Sequence, residues 1–209
     1  MRKLVIVGAS GHGKVVADIA EKTRKYKEIV FLDDDTSIDK VGDYPVIGRT
    51  CDYHLVDKDD EVIVAIGNAA IREKIQNCFC DEGKSIATLI HPDASIANNV
   101  EIGMGTVVMA GAVINSDTVI GKGCIINTCS SVDHDNKVGN FVHIAVGSHL
   151  AGNVNVDSLA WIGAGAIIIN NVSVCSTCTI GAGAVVVKNI ETGGIYMGVP
   201  AKRKEEKEK

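Results

Sequence analysis

An aliphatic residue occupies every sixth position over about half of this chain, without an insertion. The residue four places later is usually small, and the residue directly after the aliphatic is often glycine, as at Gly103, Gly121 and Gly163. A period of six fits neither an α-helix nor a simple strand, but it fits a chain that forms a short strand, turns a corner and repeats. The aliphatic positions are Ile90, Ile96, Ile102, Val108, Ile114, Ile120, Ile126, Val132, Val138, Ile144, Leu150, Val156, Ile162, Ile168, Val174, Ile180 and Val186.

Three such sides close a triangular coil of about 18 residues, so the repeat predicts a parallel β-helix of roughly five to six coils. We expect the aliphatic residue to fill the interior and the residue four places later to be a small inward group. Gly, Asn and Asp are expected at the corners because they accept positive φ. Residues 18 apart would then lie one above the other in neighbouring coils, about 4.8 Å apart.

Composition limits the classes of binding partner and the cellular compartment that fit this chain. A net charge of -5 and a pI near 5.7 argue against a general nucleic-acid or membrane-surface binder, and no apolar stretch reaches the length of a membrane span. The seven cysteines have no metal-like spacing apart from Cys175 and Cys178, which is typical of reduced thiols in a cytoplasmic protein, so we expect no metal. The mixed-charge run 202–209 is expected to be a solvated, frayed tail.

Two domains are predicted, with the boundary near Ser85, where a helical pattern gives way to the six-residue repeat. Residues 1–85 are predicted to form a Rossmann-like α/β domain, and residues 86–209 the β-helix with the charged tail. A strand over 3–7, a glycine turn and a helix over 14–25 would point free N–H groups and a helix dipole at an anion, usually phosphate. The spacing of Gly8, Gly11 and Gly13 is not that of the dinucleotide fingerprint, which disfavours a nicotinamide cofactor.

Polar residues follow two further strands of the amino-terminal domain. Asp33 and Asp34 end a strand over 29–32, and Gly67 and Asn68 follow a strand over 61–66. In an open α/β sheet these residues would lie beside the glycine turn at the carboxyl edge, where such sheets bind ligands. We therefore predict a nucleotide site at this edge. The alternative is a small α/β cap that only packs on the β-helix.

His134 is the candidate catalytic residue of the β-helix. Gly152 lies 18 residues further on, so the imidazole would have a neighbour without a side chain, which leaves room for an acyl group or a nucleophile. A carboxylate bonded to one imidazole nitrogen would fix the tautomer, so that the other nitrogen can accept a proton. Periodicity does not choose between Asp133 and Asp135 for this part, and a solvated polar corner is the alternative. Ala164 and Ala182 stack in the same way at a different corner.

Several short segments form a pattern beyond the repeat. They are Gly8-Ala9-Ser10-Gly11-His12-Gly13, Phe31-Leu32-Asp33-Asp34, Ala65-Ile66-Gly67-Asn68, Asn127-Thr128, His134 followed by an acid, His143, Ala151-Gly152-Asn153-Val154 and Gly198-Val199-Pro200-Ala201-Lys202. With the repeat, this pattern resembles the hexapeptide-repeat acyltransferases, whose β-helix is left-handed and whose members are trimers. It is most similar to the branch of nucleotide-sugar N-acetyltransferases of the bacillosamine pathway, and the sialic acid O-acetyltransferases share much of it.

The resemblance implies a role for each matched position. His134 would be the general base and Asp135 the acid that orients it, while Asn127, on the substrate side, and His143, on the cofactor side, would be active-site polar residues. The remaining positions are two sets. The amides expected to contact acetyl-CoA are those of Gly152, Ala164 and Ala182. The residues expected to hold the UDP-sugar are Gly11, His12, Asp33, Asp34 and Asn68.

The function expected from this reading is direct acetyl transfer from acetyl-CoA to the amine of a UDP-linked 4-amino-4,6-dideoxy sugar. The resemblance implies a homotrimer with active sites between subunits. Two alternatives stay open. The same scaffold could acetylate a hydroxyl of sialic acid or another glycan precursor, or it could be a non-catalytic β-helix used for assembly.

Overall fold

The computed structural model describes residues 2–205. The chain divides into two compact units, of which the first runs to Pro92 and also includes Met104–Val107. The division falls after Pro92 rather than near residue 85 because Ser85–Ile86 pairs with Glu61–Val62, and Gly105 donates its N–H to the carbonyl of Ala87 at 3.1 Å. The second unit comprises Asp93–Gly103 and the residues from Val108 onward.

The first unit contains an α/β sheet with the strand order β3 (Lys40–Val41), β4 (Tyr44–Gly48), β2 (Tyr26–Leu32), β1 (Arg2–Val7), β5 (Glu61–Val64) and β6 (Ser85–Ile86), in which β3 and β4 pair antiparallel and the other pairs are parallel. Its core is aliphatic, and the side chains of Leu4, Val5, Ile6 and Val7 on β1 are fully buried. Continuous burial on both faces is typical of a central parallel strand. The elements are β1 (Arg2–Val7), α1 (Gly11–Thr23), β2 (Tyr26–Leu32), β3 (Lys40–Val41), β4 (Tyr44–Gly48), a short 3-10 helix (Tyr53–Leu55), β5 (Glu61–Val64), α2 (Ala69–Asp81), β6 (Ser85–Ile86) and β7 (Leu89–Ile90).

The strands from β8 to β23 recur at the six-residue spacing of the sequence. They are β8 (Ser95–Ile96), β9 (Glu101–Ile102), β10 (Val107–Val108), β11 (Val113–Ile114), β12 (Val119–Ile120), β13 (Ile125–Ile126), β14 (Ser131–Val132), β15 (Lys137–Val138), β16 (His143–Ile144), β17 (His149–Leu150), β18 (Asn155–Val156), β19 (Trp161–Ile162), β20 (Ile167–Ile168), β21 (Ser173–Val174), β22 (Thr179–Ile180) and β23 (Val185–Val186). Two further strands, β24 (Ile195–Met197) and β25 (Lys202–Arg203), follow outside this spacing.

Every third strand pairs in parallel, so the second unit has three faces. The first face is β8-β11-β14-β17-β20-β23, the second is β9-β12-β15-β18-β21, and the third contains β13-β16-β19-β22-β24. Each pair joins residues 18 apart, such as Val132 with Leu150. The predicted β-helix is therefore confirmed, and it is left-handed.

The corners between the faces carry the candidate residues and are named here by their place. The first corner lies between the first and second faces and includes 133–136 and 151–154. The third corner lies between the third and first faces and includes 127–130, 163–166 and 181–184. From Val108 to Val186 the repeat aliphatics are buried as predicted, and Ile114, Val132 and Leu150 are 0–1% exposed. Each such burial contributes roughly 1.5–3 kcal/mol. The prediction is wrong at the start of the repeat, where Ile90 is 36% exposed.

Glycine has two separate uses at these corners. Three residues after the inward aliphatic the backbone takes positive φ, which glycine adopts at Gly111 and Gly147 and aspartate at Asp135. The glycine directly after the aliphatic has another reason, since a Cβ at Gly121 would lie 2.6 Å from the carbonyl carbon of Gly139 in the next coil. These glycines therefore permit close stacking of the coils rather than a left-handed backbone.

The expected frayed tail is wrong at its beginning. Lys202–Arg203 forms β25, which pairs antiparallel with β24. Residues 206–209 lie outside the described residues. Within the described part of the chain, no helix is long and apolar enough to cross a membrane.

Candidate active site

The glycine turn after β1 opens directly into α1. The helix begins at Gly11, three residues earlier than predicted, so Gly11 and His12 belong to its first turn. Ser10 occupies the N-cap position, but its side chain makes no capping hydrogen bond, and the first turn carries no acidic residue. The first N–H groups of an α-helix have no partner within the helix, and together with the helix dipole they favour an anion.

The glycines of this edge differ in what surrounds them. A Cβ at Gly8 would lie 2.8 Å from the carbonyl oxygen of Ala65, and a Cβ at Gly13 would collide with the carbonyl oxygen of Gly8. Internal packing therefore explains these two residues. A Cβ at Gly11 or at Gly67 would meet nothing within 4 Å, and neither residue has positive φ. Because β1 pairs with β5, both glycines follow neighbouring strands at the carboxyl edge of the sheet, where a ligand could approach the backbone.

The polar residues predicted for the nucleotide already have partners in the protein. Asp33 accepts from the backbone N–H of Ala9 at 2.6 Å and so ties the glycine turn to the end of β2. Asp34 accepts from the hydroxyl of Thr50 at 2.9 Å. Asn68 caps α2, because its Oδ1 accepts from the N–H of Ile71 at 3.0 Å. The three residues therefore shape this edge, whichever ligand it binds.

His12 is neutral at physiological pH. Burial and the charge of Arg72 lower the pKa of His12 to about 4. Arg72 is buried and donates to the carbonyl oxygens of Ile66 and Gly67 at 2.7 and 2.8 Å. His12 can therefore serve a ligand as a neutral hydrogen-bonding group and not as a cation.

At the first corner of the β-helix, His134 and Asp135 form a close pair. Nδ1 of His134 lies 2.7 Å from Oδ2 of Asp135, and the two side chains are 57% and 59% exposed. A carboxylate only accepts, so Nδ1 carries the proton and Nε2 keeps its lone pair. The hydrogen bond to Asp135 raises the pKa of His134 above its ordinary value, with further help from the charge of Asp133.

Asp133, the other acid beside His134, holds the backbone instead of the imidazole. Its Oδ1 accepts from the N–H of His134 at 2.9 Å and from Nδ2 of Asn115 at 2.7 Å. The hydrogen bond from Asn115, followed by that from the N–H of His134, lowers the pKa of Asp133. The structure thus separates the two acids by what each one touches.

The imidazole itself fills the space above Gly152. A Cβ at Gly152 would lie 2.5 Å from Cε1 and 2.6 Å from Nε2 of His134. The expectation that Gly152 leaves room beside the imidazole for an acyl group is therefore wrong in detail, because the ring leans over the glycine and occupies that room. Glycine is needed at position 152 because a larger residue would collide with the ring of His134.

Asn127, His143 and Trp161 form a cluster on the third face and at its corner. Nδ2 of Asn127 lies 3.1 Å from Nε2 of His143, and the ring of His143 lies 4.3 Å from that of Trp161, centroid to centroid. His143 is 7% exposed and Trp161 is 38% exposed. The predicted residues Asn127 and His143 are therefore brought together, but at a different corner from His134.

Ala164 and Ala182 stack at the third corner and are exposed. Among the described residues, no acceptor takes the backbone N–H of either one, and the same holds for Gly152. Small side chains with open amides suit the approach of an extended ligand with carbonyl groups.

The sulfurs of Cys175 and Cys178 lie 3.0 Å apart, and the described residues contain no group of three or more metal-ligating side chains.

Comparison with known proteins identifies the family to which this chain belongs. A family model described as the PglD N-terminal domain matches residues 3–79. The acetyltransferase domain of PglB from Neisseria gonorrhoeae is 43% identical, with a TM-score of 0.94, over 98% of this chain and 100% of that one. The chain belongs to the hexapeptide-repeat family of sugar N-acetyltransferases.

Other members of this sugar N-acetyltransferase family are also similar to it. A histidine-to-alanine mutant of GDP-perosamine N-acetyltransferase from Caulobacter crescentus, solved with CoA and GDP-perosamine, is 34% identical with a TM-score of 0.93, over 99% of this chain and 98% of that one. UDP-N-acetylbacillosamine N-acetyltransferase from Bacillus subtilis is 32% identical over 113 residues, which are 53% of this chain and 52% of that protein. The chain thus spans about half the length of this curated relative.

Sequence reasoning missed three polar residues around His134, the candidate base. Asn115 donates to the carboxylate of Asp133 on the outside of the β-helix, the triangular prism formed by its three faces. Thr118 and Asn136 donate to the backbone of the same corner from inside this prism. A signal for Asn136 was available, because an amide stands at an inward position of the repeat. Arg72 was missed because a single buried cation on a helix has no motif.

We expect Gly13→Ala to destabilise the protein and Gly11→Ala to leave its stability unchanged. Alanine at 13 would force its Cβ into the Gly8 carbonyl, a backbone overlap that costs roughly 1–3 kcal/mol. Alanine at 11 meets open space, so its effect stays within about 0.5 kcal/mol. Urea unfolding of both variants measures the difference, and equal stabilities would contradict this account of the two glycines.

Proposed function

We propose that this protein transfers the acetyl group of acetyl-CoA to the amine of a UDP-linked 4-amino-4,6-dideoxy sugar, with His134 as the general base. The observation that carries the proposal is the exposed imidazole whose Nδ1 is held by Asp135 at 2.7 Å, which leaves Nε2 available to take a proton. The relatives named above support an amine as acceptor, since their names describe N-acetyltransferases.

The proposed reaction is direct transfer within one complex of enzyme, sugar and acetyl-CoA. The sugar nitrogen forms a bond to the thioester carbonyl carbon while Nε2 of His134 accepts the amine proton, and the carbon–sulfur bond then breaks. The proton passes from the imidazolium to the departing thiolate, so CoA leaves as a thiol. The backbone N–H of Gly152, directly beneath the imidazole, is the proposed donor to the oxyanion.

Acetyl-CoA is proposed to bind along the third corner. The exposed backbone of Ala164 and Ala182 offers N–H groups there, and Asn127 and His143 form a polar pair on the same side of the prism. The amino-terminal unit would hold the nucleotide diphosphate at the first turn of α1, near Gly11 and Gly67. Its polar residues Asp33, Asp34 and Asn68 would frame the sugar nucleotide.

A homotrimer is part of the proposal because His134 lies at the first corner while Asn127 and His143 lie at the third. In a threefold assembly of prisms, the first corner of one copy can face the third corner of the next. Each site would then take its base from one copy and its polar pair from another. The exposed apolar residues Ile167 and Ile169 on and beside the first face support contact between copies.

Thiol release from acetyl-CoA against a panel of UDP-4-amino and UDP-3-amino sugars, with GDP-linked amino sugars and free sialic acid included, tests the function. Turnover with a UDP-4-amino sugar supports the proposal. Turnover only with a hydroxyl acceptor would replace it with O-acetylation, and none with any acceptor would favour an assembly protein. Calorimetry with UDP separates a nucleotide-sugar enzyme from one that takes a free sugar.

His134→Ala should lower kcat by about 10²–10⁴-fold, which is the usual contribution of a general base. The KM for acetyl-CoA should stay nearly constant, because the cofactor is proposed to bind at the third corner. Steady-state kinetics with saturating sugar measure both quantities. Wild-type turnover in this variant would remove the role assigned to His134.

Asp135→Asn should shift the acidic limb of the kcat/KM profile to lower pH. Asp135 raises the pKa of His134, and a general base works only when neutral, so losing the carboxylate lets the imidazole deprotonate at lower pH. The plateau should also fall, since the ring loses its orienting partner. Asp117→Asn is the matched control, because Asp117 has the same positive φ one coil earlier and bonds Asn99 instead. Equal profiles for both variants would contradict the role of Asp135.

Mixing His134→Ala and Asn127→Ala subunits should restore part of the activity that each variant lacks alone. In a mixed trimer, some interfaces combine an intact His134 from one copy with an intact Asn127 from the next. The assay is thiol release after the two variants are unfolded and refolded together. If each variant folds alone but no activity returns after mixing, the site is not shared between copies.

A further inference from the structure

We propose that Asn136 is a positioning residue, whose buried amide fixes the peptide that carries His134 and Asp135. This inference rests on the proposed function, because it concerns the orientation of the base in the acetyl transfer. Asn136 touches neither proposed substrate. It would act through the backbone of the first corner.

Asn136 departs from the residues stacked with it inside the prism. The inward position of the first corner is taken in successive coils by Val100, Thr118, Asn136, Val154, Val172 and Ile190. Both Thr118 and Asn136 are fully buried, as is Val154. Two polar side chains therefore interrupt a column of aliphatic ones, and they do so in the coil of His134 and the coil before it.

The amide of Asn136 bonds the backbone on both sides of the imidazole. Its Nδ2 lies 2.7 Å from the carbonyl oxygen of Asp133 and 2.9 Å from that of Ala151, with the carbonyl oxygen of His134 at 3.2 Å. Asp133 precedes the base, and Ala151 precedes Gly152, over which the imidazole lies. One side chain thus links the turn that carries the base to the turn beneath its ring.

The orientation of this amide follows from its neighbours. All three are carbonyl oxygens, so the nitrogen must face them and the amide oxygen must point away. That oxygen, Oδ1, is buried and has no hydrogen-bond partner among the described residues. A buried acceptor without a donor costs stability, and an aliphatic residue like those elsewhere in the column would avoid this cost. The unpaired oxygen therefore offsets part of the stability that the bonds from Nδ2 contribute, and valine at 154 and 172 shows that an aliphatic residue can fill this position.

Thr118 and Asp133 form the other side-chain hydrogen bonds that hold the backbone of the first corner. The hydroxyl of Thr118 donates to the carbonyl of Asp133 at 2.7 Å and accepts from the N–H of Asn136 at 3.2 Å. On the outside, the carboxylate of Asp133 accepts from the N–H of His134 at 2.9 Å. The peptide groups around His134 are therefore bonded from both the interior and the surface.

Such a hold matters because the side chains of His134 and Asp135 are more than half exposed. Apart from Gly152 beneath the ring, little packing fixes where Nε2 points, so the backbone must do it. A displacement of about 1 Å at a reacting group can cost on the order of 10²-fold in rate. Loss of the Asn136 amide would remove its bond to the Ala151 carbonyl and leave only the backbone bonds of Asp133 and His134 to hold the corner against the coil that contains Gly152.

Asn136→Val tests the proposal, because valine fills this position two coils in a row further along the column. The variant should lower kcat by about 10–100-fold while the KM for acetyl-CoA stays near wild type. The titration of the His134 ring, followed by NMR, should move toward that of an ordinary histidine as its bond to Asp135 loosens. Asn136→Thr returns a buried hydroxyl, as at Thr118, and should recover part of kcat.

Val172→Ala is the matched control, since it removes packing from the same column two coils away and should lower Tm without lowering kcat. Wild-type kcat and an unmoved His134 titration in Asn136→Val would overturn the inference, as would a loss no larger than in Val172→Ala. If Asn136→Val does not fold, Asn136→Thr and Asn136→Ser carry the same comparison. His134→Ala, run in parallel, separates the two failures: an inactive His134→Ala beside a fully active Asn136→Val rejects only the inference, whereas full turnover in His134→Ala rejects the proposed function and the inference with it.

Discussion

Hydrogen bonds between coils 18 residues apart are the constraint on which the candidate catalytic site depends. The N–H of Asp133 bonds the carbonyl of Leu150 at 3.0 Å, and the N–H of Asn153 returns to the carbonyl of His134 at 2.9 Å. These bonds fix which residue lies over which, so the contact between His134 and Gly152 follows from a register and not from a flexible loop. Sites on rigid elements hold their geometry better than sites on loops.

The repeat made most of the fold predictable from the sequence, because a period of six leaves few alternatives. Counting alone placed the strands, the stack of His134 over Gly152 and the inward aliphatics from Val108 onward, and the structure shows them. The glycine turn, Asp33 and Asn68 also lie at the predicted sheet edge. Hydrophobic periodicity reflects the path of the backbone, and in a repeat every coil gives the same evidence for that path.

The details that the sequence could not give depend on side-chain directions. Asp133 and Asp135 flank His134 symmetrically in the sequence, yet Asp133 turns to Asn115 and the backbone while Asp135 turns to the imidazole. Stacking arithmetic predicted an empty place above Gly152, but the ring leans into it. The early start of α1 and the pairing of Lys202–Arg203 were missed for a related reason: local composition suggested a turn and a tail, and contacts with other segments decided otherwise.

At the first corner, the residue three places after the inward aliphatic has a left-handed backbone in successive coils. Successive coils place Asn99, Asp117, Asp135, Asn153 and Asn171 there, all with φ between 56° and 61°. Asparagine and aspartate tolerate this conformation better than most residues do. Their codons differ by a single base, so any coil of such a prism lies one mutational step from a carboxylate at its corner. An evolving β-helix can therefore acquire an acid beside a histidine without first rebuilding its backbone.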